Sequence, residues 1–225
     1  MTNADMYKYA IAVAVTLLMT ARCGDNTKLG TIISDAEASG FTEAVGDAAC
    51  TVRISLEKAA GCDMVWIHST DTSFSAEHAG AWENGLREYV EDGGRLVLSM
   101  DAVRLLNVWG IEPSEIESWE YECIDEGFGR KLGFHSRFSH PLFGGDLHGG
   151  AYTWHGAEDN ICRLNGFDDK EYPSAEGAKV IACQWEYVFL RPDLKLIWET
   201  PVGKGSILAI GGCLYFDRPN HDRAI

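Results

Sequence analysis

Residues 91–106 read EDGGRLVLSMDAVRLL. Gly93-Gly94 is a natural helix terminator, since glycine accepts the left-handed backbone that a helix end needs. RLVLSM is an unbroken, mostly apolar run of strand length, as expected for a strand covered on both faces. AVRLLNVW then starts a short helix that Gly110 closes. The sharp turn between strand and helix carries Ser99, Met100 and Asp101. In α/β enzymes such a corner often presents the nucleophile.

Working outward, DMVWIH (63–68) is a second apolar, β-branched and aromatic run, a buried strand on the same criteria. Between the two strands lies SAEHAGAWENGLREYVED (75–92). Ala79, Trp82, Leu86, Tyr89 and Val90 recur there at helical spacing, and Ser73 or Ser75 can cap the start. Strand, helix, strand, helix with short links predicts a parallel sheet with right-handed crossovers. Upstream, residues 28–55 are expected to hold a short first strand and a connecting helix. Downstream, 131–156 is rich in Gly, His and aromatics and reads as long loops with short strands. AKVIACQW (178–185) reads as a strand. LKLIWETPVGKGSILAIGGCLYF (194–216) reads as a hairpin turning at Gly203-Lys204-Gly205. The expected fold is α/β: a flavodoxin-like, mostly parallel sheet with helices on both faces, a loop-rich second half and a C-terminal β-hairpin.

The formal net charge is −15, which argues against nucleic acid as a partner, because phosphate contacts need clustered Lys and Arg. Residues 112–126 hold seven of the acids and no base, and are expected to form a solvated face or loop. They lack the ligand rhythm of a calcium loop. At the start, Lys8 precedes an apolar run from Ala10 to Met19 and then Cys23. That run is too short to span a bilayer but fits the core of a secretory signal. Residues 1–23 are therefore expected to be a signal or lipoprotein leader, and 24–225 one α/β domain in a periplasmic or lipid-anchored protein. Cys23 is the potential lipidation site, although Arg22 stands where that pattern wants a small residue. Seven cysteines include no C-x-x-C pair, which speaks against a zinc ribbon. The chain stops at RPNHDRAI, where a final helix would be expected to begin, which suggests a fragment of a longer chain.

Four stretches, AAGCDMVWIHS, LREYVEDGGRLVLS, HPLFGG and ETPVGKGSILAIGG followed by LYF, resemble the class I glutamine amidotransferase-like superfamily. The nearest branch in appearance is the trehalose-utilisation (ThuA-like) proteins and related domains attached to sugar-degrading enzymes. The resemblance implies that the corner after RLVLS should carry a glycine-flanked cysteine. Met100 stands there instead, and a thioether has no proton to lose. A shift of one residue would bring Ser99 or Asp101 to the position, Asp101 being more simply the N-cap of the next helix.

Ligands of open parallel sheets collect beyond the carboxyl ends of the strands. His68 and Asp71 follow one such end and Asp101 the other, so they are the candidate catalytic groups, with histidine and carboxylate as a proton-transfer pair. The plainer reading has Asp71 capping a turn and His68 bonded to backbone. Trp154 and His155 could form a platform for a sugar ring, with His135 and Glu186 as further loop-edge ligand candidates. The histidines 135, 140, 148 and 155 match no metal-binding spacing, so no metal and no cofactor are expected. No G-x-S-x-G elbow or phosphate-binding loop occurs.

These residues point to an exported, non-catalytic amidotransferase-like domain associated with carbohydrate degradation, in a ligand-binding or assembly role. Its partners would be a carbohydrate or other small molecule, a glycoside hydrolase fused to or assembled with it, or further copies of itself. The alternatives are a ThuA-like sugar hydrolase or isomerase using His68 with Asp71 or Asp101, and an oligomerisation domain of a glycoside hydrolase.

Overall fold

The structure is a computed structural model that describes residues 28–34, 38–39, 41–42, 50–53, 59, 61–122, 132–133, 152–153, 161–168, 170–186 and 191–212. Its centre is a seven-stranded sheet in the order β2-β1-β3-β4-β11-β10-β9. β1 (Lys28–Ile32), β2 (Cys50–Arg53), β3 (Met64–Ser69), β4 (Arg95–Met100) and β11 (Gly205–Ile210) run parallel to their neighbours. β10 (Arg191–Val202) turns back on β11 as a hairpin, and β9 (Lys179–Glu186) pairs antiparallel with β10. The turn falls at Gly203-Lys204, as the sequence predicts. β5 (Glu117–Glu122) and β8 (Ile161–Gly166) form a separate antiparallel ribbon, and β6 (Leu132–Gly133) pairs with β7 (Tyr152–Thr153).

Alternation along β3 and β4 sorts the core into two layers. Val65, Ile67, Leu96 and Leu98 face a cluster that includes Trp82, Leu86, Val90, Val103 and Leu106 from the helical segments. Trp66 faces the other way and meets Phe41, in a helical segment, edge-on with ring centroids 4.9 Å apart. Helical backbone thus packs on both faces of the sheet. Burying one large apolar side chain is worth about 1.5–3 kcal/mol, so the dozen fully covered residues of β3, β4 and β11 dominate stability.

Three expectations need correction. The predicted helix over 75–92 is broken: short helical pieces lead to Asn84 (φ −91°, ψ 30°) and Gly85 (φ 109°), after which Arg87–Glu91 resumes as α-helix. The left-handed Gly85 cannot sit inside a right-handed helix, and it rotates Ala79 out of the buried face, leaving Ala79 exposed. Ser73 occupies the cap position but makes no side-chain cap, and Ser75 is buried. Residues 28–55 hold the expected first strand, β1, and helical backbone at 38–39 and 41–42, and β2 is added at the sheet edge. The acidic run is only partly solvated: Glu115, Glu117 and Glu120 are exposed and 117–122 is a strand, but Glu112 is buried. Its carboxylate accepts from the backbone N–H groups of Ser114 (2.8 Å), Ser174 (2.9 Å) and Ala175 (3.2 Å) and from the Ser174 hydroxyl (3.0 Å). Those hydrogen bonds replace water and fasten two loops together.

Candidate functional site

The turns at the two ends of β4 differ. At its start Gly93 takes φ 115°, and Gly93 N–H and Gly94 N–H donate to Val90 O and Tyr89 O, the paired bonds of a glycine-ended helix. At its finish Met100 takes φ 57° and ψ −127°. Among the described residues Met100 is the one non-glycine with positive φ. A side chain held there costs about 1–3 kcal/mol, and such positions cluster at functional corners. Met100 is fully buried, so its sulfur is shielded as well as unable to ionise.

Around this corner the sheet register places the candidate groups. His68 lies opposite Ser99, and Ser69 opposite Met100. His68 Nδ1 lies 2.7 Å from Ser99 Oγ, and Trp66 Nε1–H donates to the same oxygen at 2.8 Å. All three side chains are buried on one face of the sheet. His68 is therefore brought to Ser99 rather than to either aspartate. Asp71 is exposed and accepts from Ser73 N–H at 2.9 Å, closing a turn. That backbone hydrogen bond, helped by the Ser73 side chain, holds the Asp71 carboxyl below its ordinary value.

Asp101 does not cap the helix after it; Met100 occupies the cap position. The Asp101 side chain is 1% exposed and its Oδ2 pairs with Arg163 Nη1 at 3.0 Å. The same Nη1 donates to Thr70 O at 3.0 Å, while Arg163 Nη2 binds Glu120 Oε1 at 2.7 Å. Burial pushes the Asp101 carboxyl above its ordinary value, outweighing the pull of the Arg163 hydrogen bond and charge. Asp101 Oδ1 has no hydrogen-bond partner.

Arg163 belongs to β8, which lies as a crossbar over the carboxyl ends of the sheet. Arg163 meets the residues just past β3 and β4. Two residues on, Asn165 N–H donates to Gly211 O at 2.7 Å, just past β11. Phe167 and Lys195 of β10 exchange backbone hydrogen bonds at 3.2 and 2.8 Å. Only glycine permits this approach, since a Cβ on Gly211 would lie 1.7 Å from Asn165 O. Asn165 is fully buried, and neither its Oδ1 nor its Nδ2 has a hydrogen-bond partner. The edge where open α/β sheets hold ligands is thus roofed by a strand that the sequence reading left unassigned. Its signal was present: Cys162 and Leu164 alternate with Arg163 and Asn165, the period of a strand.

Glu186 ends β9 opposite Arg191, far along the sheet from this corner. Trp154, His155, His135, the other loop histidines and Cys23 lie outside the described residues. Among the described residues no group of three or more His, Cys, Asp and Glu is arranged to hold a metal ion.

No protein-family profile matches the chain, and no curated protein matches it. Solved structures with a similar shape include the β-galactosidase from Bacillus circulans sp. alkalophilus, at 11% identity and TM-score 0.46, covering 86% of this chain and 29% of that one. The cold-adapted β-galactosidase from Rahnella sp. R3 gives 12% identity and TM-score 0.44, with 83% and 28% covered. An exo-β-1,4-mannosidase from Opitutaceae bacterium strain TAV5 gives 10% identity and TM-score 0.45, with 87% and 32% covered. The chain spans less than a third of each of these glycoside hydrolases, and the likeness to them is one of partial shape.

Proposed function

We propose that this chain is a non-catalytic module of amidotransferase-like ancestry, exported and working beside carbohydrate degradation in a binding or assembly role. The observation that carries the non-catalytic reading is Met100: a strained, positive-φ corner of the kind that elsewhere presents a nucleophile is filled here by a buried thioether. The neighbouring groups support it. Ser99 is committed to Trp66 and His68, Asp101 to Arg163, and Asp71 to its own turn. Each would have to leave a structural bond before it could move a proton. The carbohydrate setting follows from the sequence stretches that resemble domains attached to sugar-degrading enzymes, and export from the apolar run at 10–19.

The test is a survey of the purified chain for glutamine hydrolysis and for hydrolysis or isomerisation of mono- and disaccharides. No turnover above the buffer rate is expected, and no covalent adduct by intact mass. Turnover that disappears in His68→Ala, with the fold preserved by circular dichroism, would overturn the reading in favour of a sugar hydrolase or isomerase. Secretion is tested separately, by whether fusion of residues 1–23 to a reporter carries it across the inner membrane.

A further inference from the structure

The sequence contains two Asn-Gly pairs, Asn84-Gly85 and Asn165-Gly166. An asparagine followed by glycine can modify itself. The glycine amide nitrogen attacks the asparagine side-chain carbonyl carbon, the new N–C bond closes a succinimide ring, and the side-chain nitrogen leaves as ammonia. Water then opens the ring at either carbonyl, giving aspartate or, with the main chain rerouted through the side chain, isoaspartate. Glycine favours the attack because no side chain screens its nitrogen and its backbone turns freely. In a folded chain the rate depends on whether that peptide can turn without the surrounding structure opening first.

The structure treats the two pairs oppositely. Asn84 and Gly85 are both exposed. They form the break in the helical segment, with φ −91° and ψ 30° at Asn84 and φ 109° at Gly85, both outside helical values. A Cβ built on Gly85 would meet nothing within 4 Å, so the peptide has open space on that side. Asn165 is fully buried in β8, and its N–H is bonded to Gly211 O at 2.7 Å. A Cβ on Gly166 would lie 2.2 Å from Lys195 O, so this pair is wedged against the neighbouring strand. Asn107, the remaining asparagine among the described residues, is held at both amide atoms. Its Nδ2 donates to Glu112 O at 2.8 Å and Ser114 O at 2.7 Å, and its Oδ1 accepts from Ile116 N–H at 2.9 Å. We propose that Asn84 is a site of spontaneous deamidation, a self-modification that places a new carboxylate at the break between Trp82 and Leu86. The added charge stands beside exposed Glu83 and Glu88, where Arg87 already serves Glu83 at 3.6 Å and Glu91 at 2.8 Å. The isoaspartate form also lengthens the main chain by one methylene. Trp82 and Leu86 are buried in the same cluster, so the extra atom falls between two fixed anchors.

The experiment keeps the whole chain in mildly alkaline buffer, folded and, in parallel, unfolded in urea, and maps its peptides by mass spectrometry until the unfolded sample has half reacted. Unfolded, the two Asn-Gly pairs should react at similar rates. Folded, the Asn84 peptide should gain about 1 Da and split into aspartyl and isoaspartyl forms. The Asn165 peptide should lag behind it by about tenfold or more, because it reacts only when β8 opens. Asn84→Gln, whose longer side chain disfavours ring closure, should abolish the early mass gain. The comparison of the two pairs in the unaltered chain stands whether or not that variant folds. Equal rates at Asn84 and Asn165 in the folded chain would overturn the proposal. So would an Asn84 peptide that reacts more than about tenfold more slowly folded than unfolded, since the break would then be protected like the strand. A mass gain that persists at the same rate in Asn84→Gln would place the reaction elsewhere. None of these results bears on the function proposed above.

Discussion

The two ends of β4 solve the same geometric problem in opposite ways. Each needs a residue whose backbone is unfavourable for L-side chains. The entering end uses Gly93, ties Gly93 and Gly94 with one backbone hydrogen bond each, and leaves no room for a Cβ on Gly94, against Tyr89, or on Gly205, against Gly94 and Val90. The leaving end places Met100 at φ 57° and follows it with the buried Asp101, whose Oδ1 lacks a partner. One end is built for stability alone. The other carries backbone strain and unsatisfied polarity, the two features that folded chains otherwise minimise and retain where a site is or was.

The sharpest way to break the contrast is at the stable end. A Cβ on Gly205 would lie 2.2 Å from Gly94 O and 2.3 Å from Val90 O, both backbone atoms that cannot rotate away. Gly205→Ala should therefore cost about 3 kcal/mol or more in urea denaturation, at the upper end of overpacking effects. A cost below about 1 kcal/mol would show that this end tolerates disorder as readily as the other.

At the leaving end, Ser99→Ala removes the oxygen shared by Trp66 and His68. Losing a buried shared partner should cost about 1–3 kcal/mol by the same measurement. Because Ser99 serves structure in this reading, any ligand binding by the folded fraction should be unchanged. A specific loss of binding at full stability would move Ser99 from scaffold to site.

A smaller effect separates Asp101 from the ordinary surface acids. Its carboxyl is raised in the folded chain, so the folded state holds that proton more tightly than the unfolded one. Its contribution is fully present below the unfolded aspartate value of about 4 and is lost as pH rises through the folded value. Asp101→Asn removes this dependence. The stability of wild type relative to Asp101→Asn should thus fall as pH rises above about 4. Asp71 and Asp168, both lowered by backbone hydrogen bonds, act in the opposite sense and lose their contribution on acidification. A wild-type advantage that grows with pH would mean that Arg163 wins over burial at Asp101.

The same contrast marks what the sequence could reveal. β4 is legible to the residue and β3 to within one, because a doubly covered strand must be apolar throughout and RLVLSM and DMVWIH are nearly so. The hairpin is legible from its glycine turn. The broken helix at Asn84-Gly85 is marked by a turn-forming dipeptide, which the flanking helical periodicity outweighed. The site is less legible. His68 and Ser99 were placed at the right edge by strand logic, yet which group His68 would touch depended on a register that sequence does not state. The pairing of Asp101 with Arg163 spans 62 residues and joins two separate sheets. No local pattern announces such a contact. Asn165 was missed for a similar reason: a polar residue on a strand normally marks the solvent side, and here that side faces the sheet edge.

The strain at Met100 is the central physical claim, and comparing Met100→Gly with Met100→Ala tests it directly. Both variants lose the same buried side-chain packing, so their difference isolates the backbone. At ordinary positions glycine is about 0.5–1 kcal/mol worse than alanine. At φ 57° the order should invert, with Met100→Gly more stable than Met100→Ala by about 1 kcal/mol in matched urea denaturation. Equal stability, or an advantage for alanine, would mean that the corner is unstrained and that β4 ends in an ordinary turn.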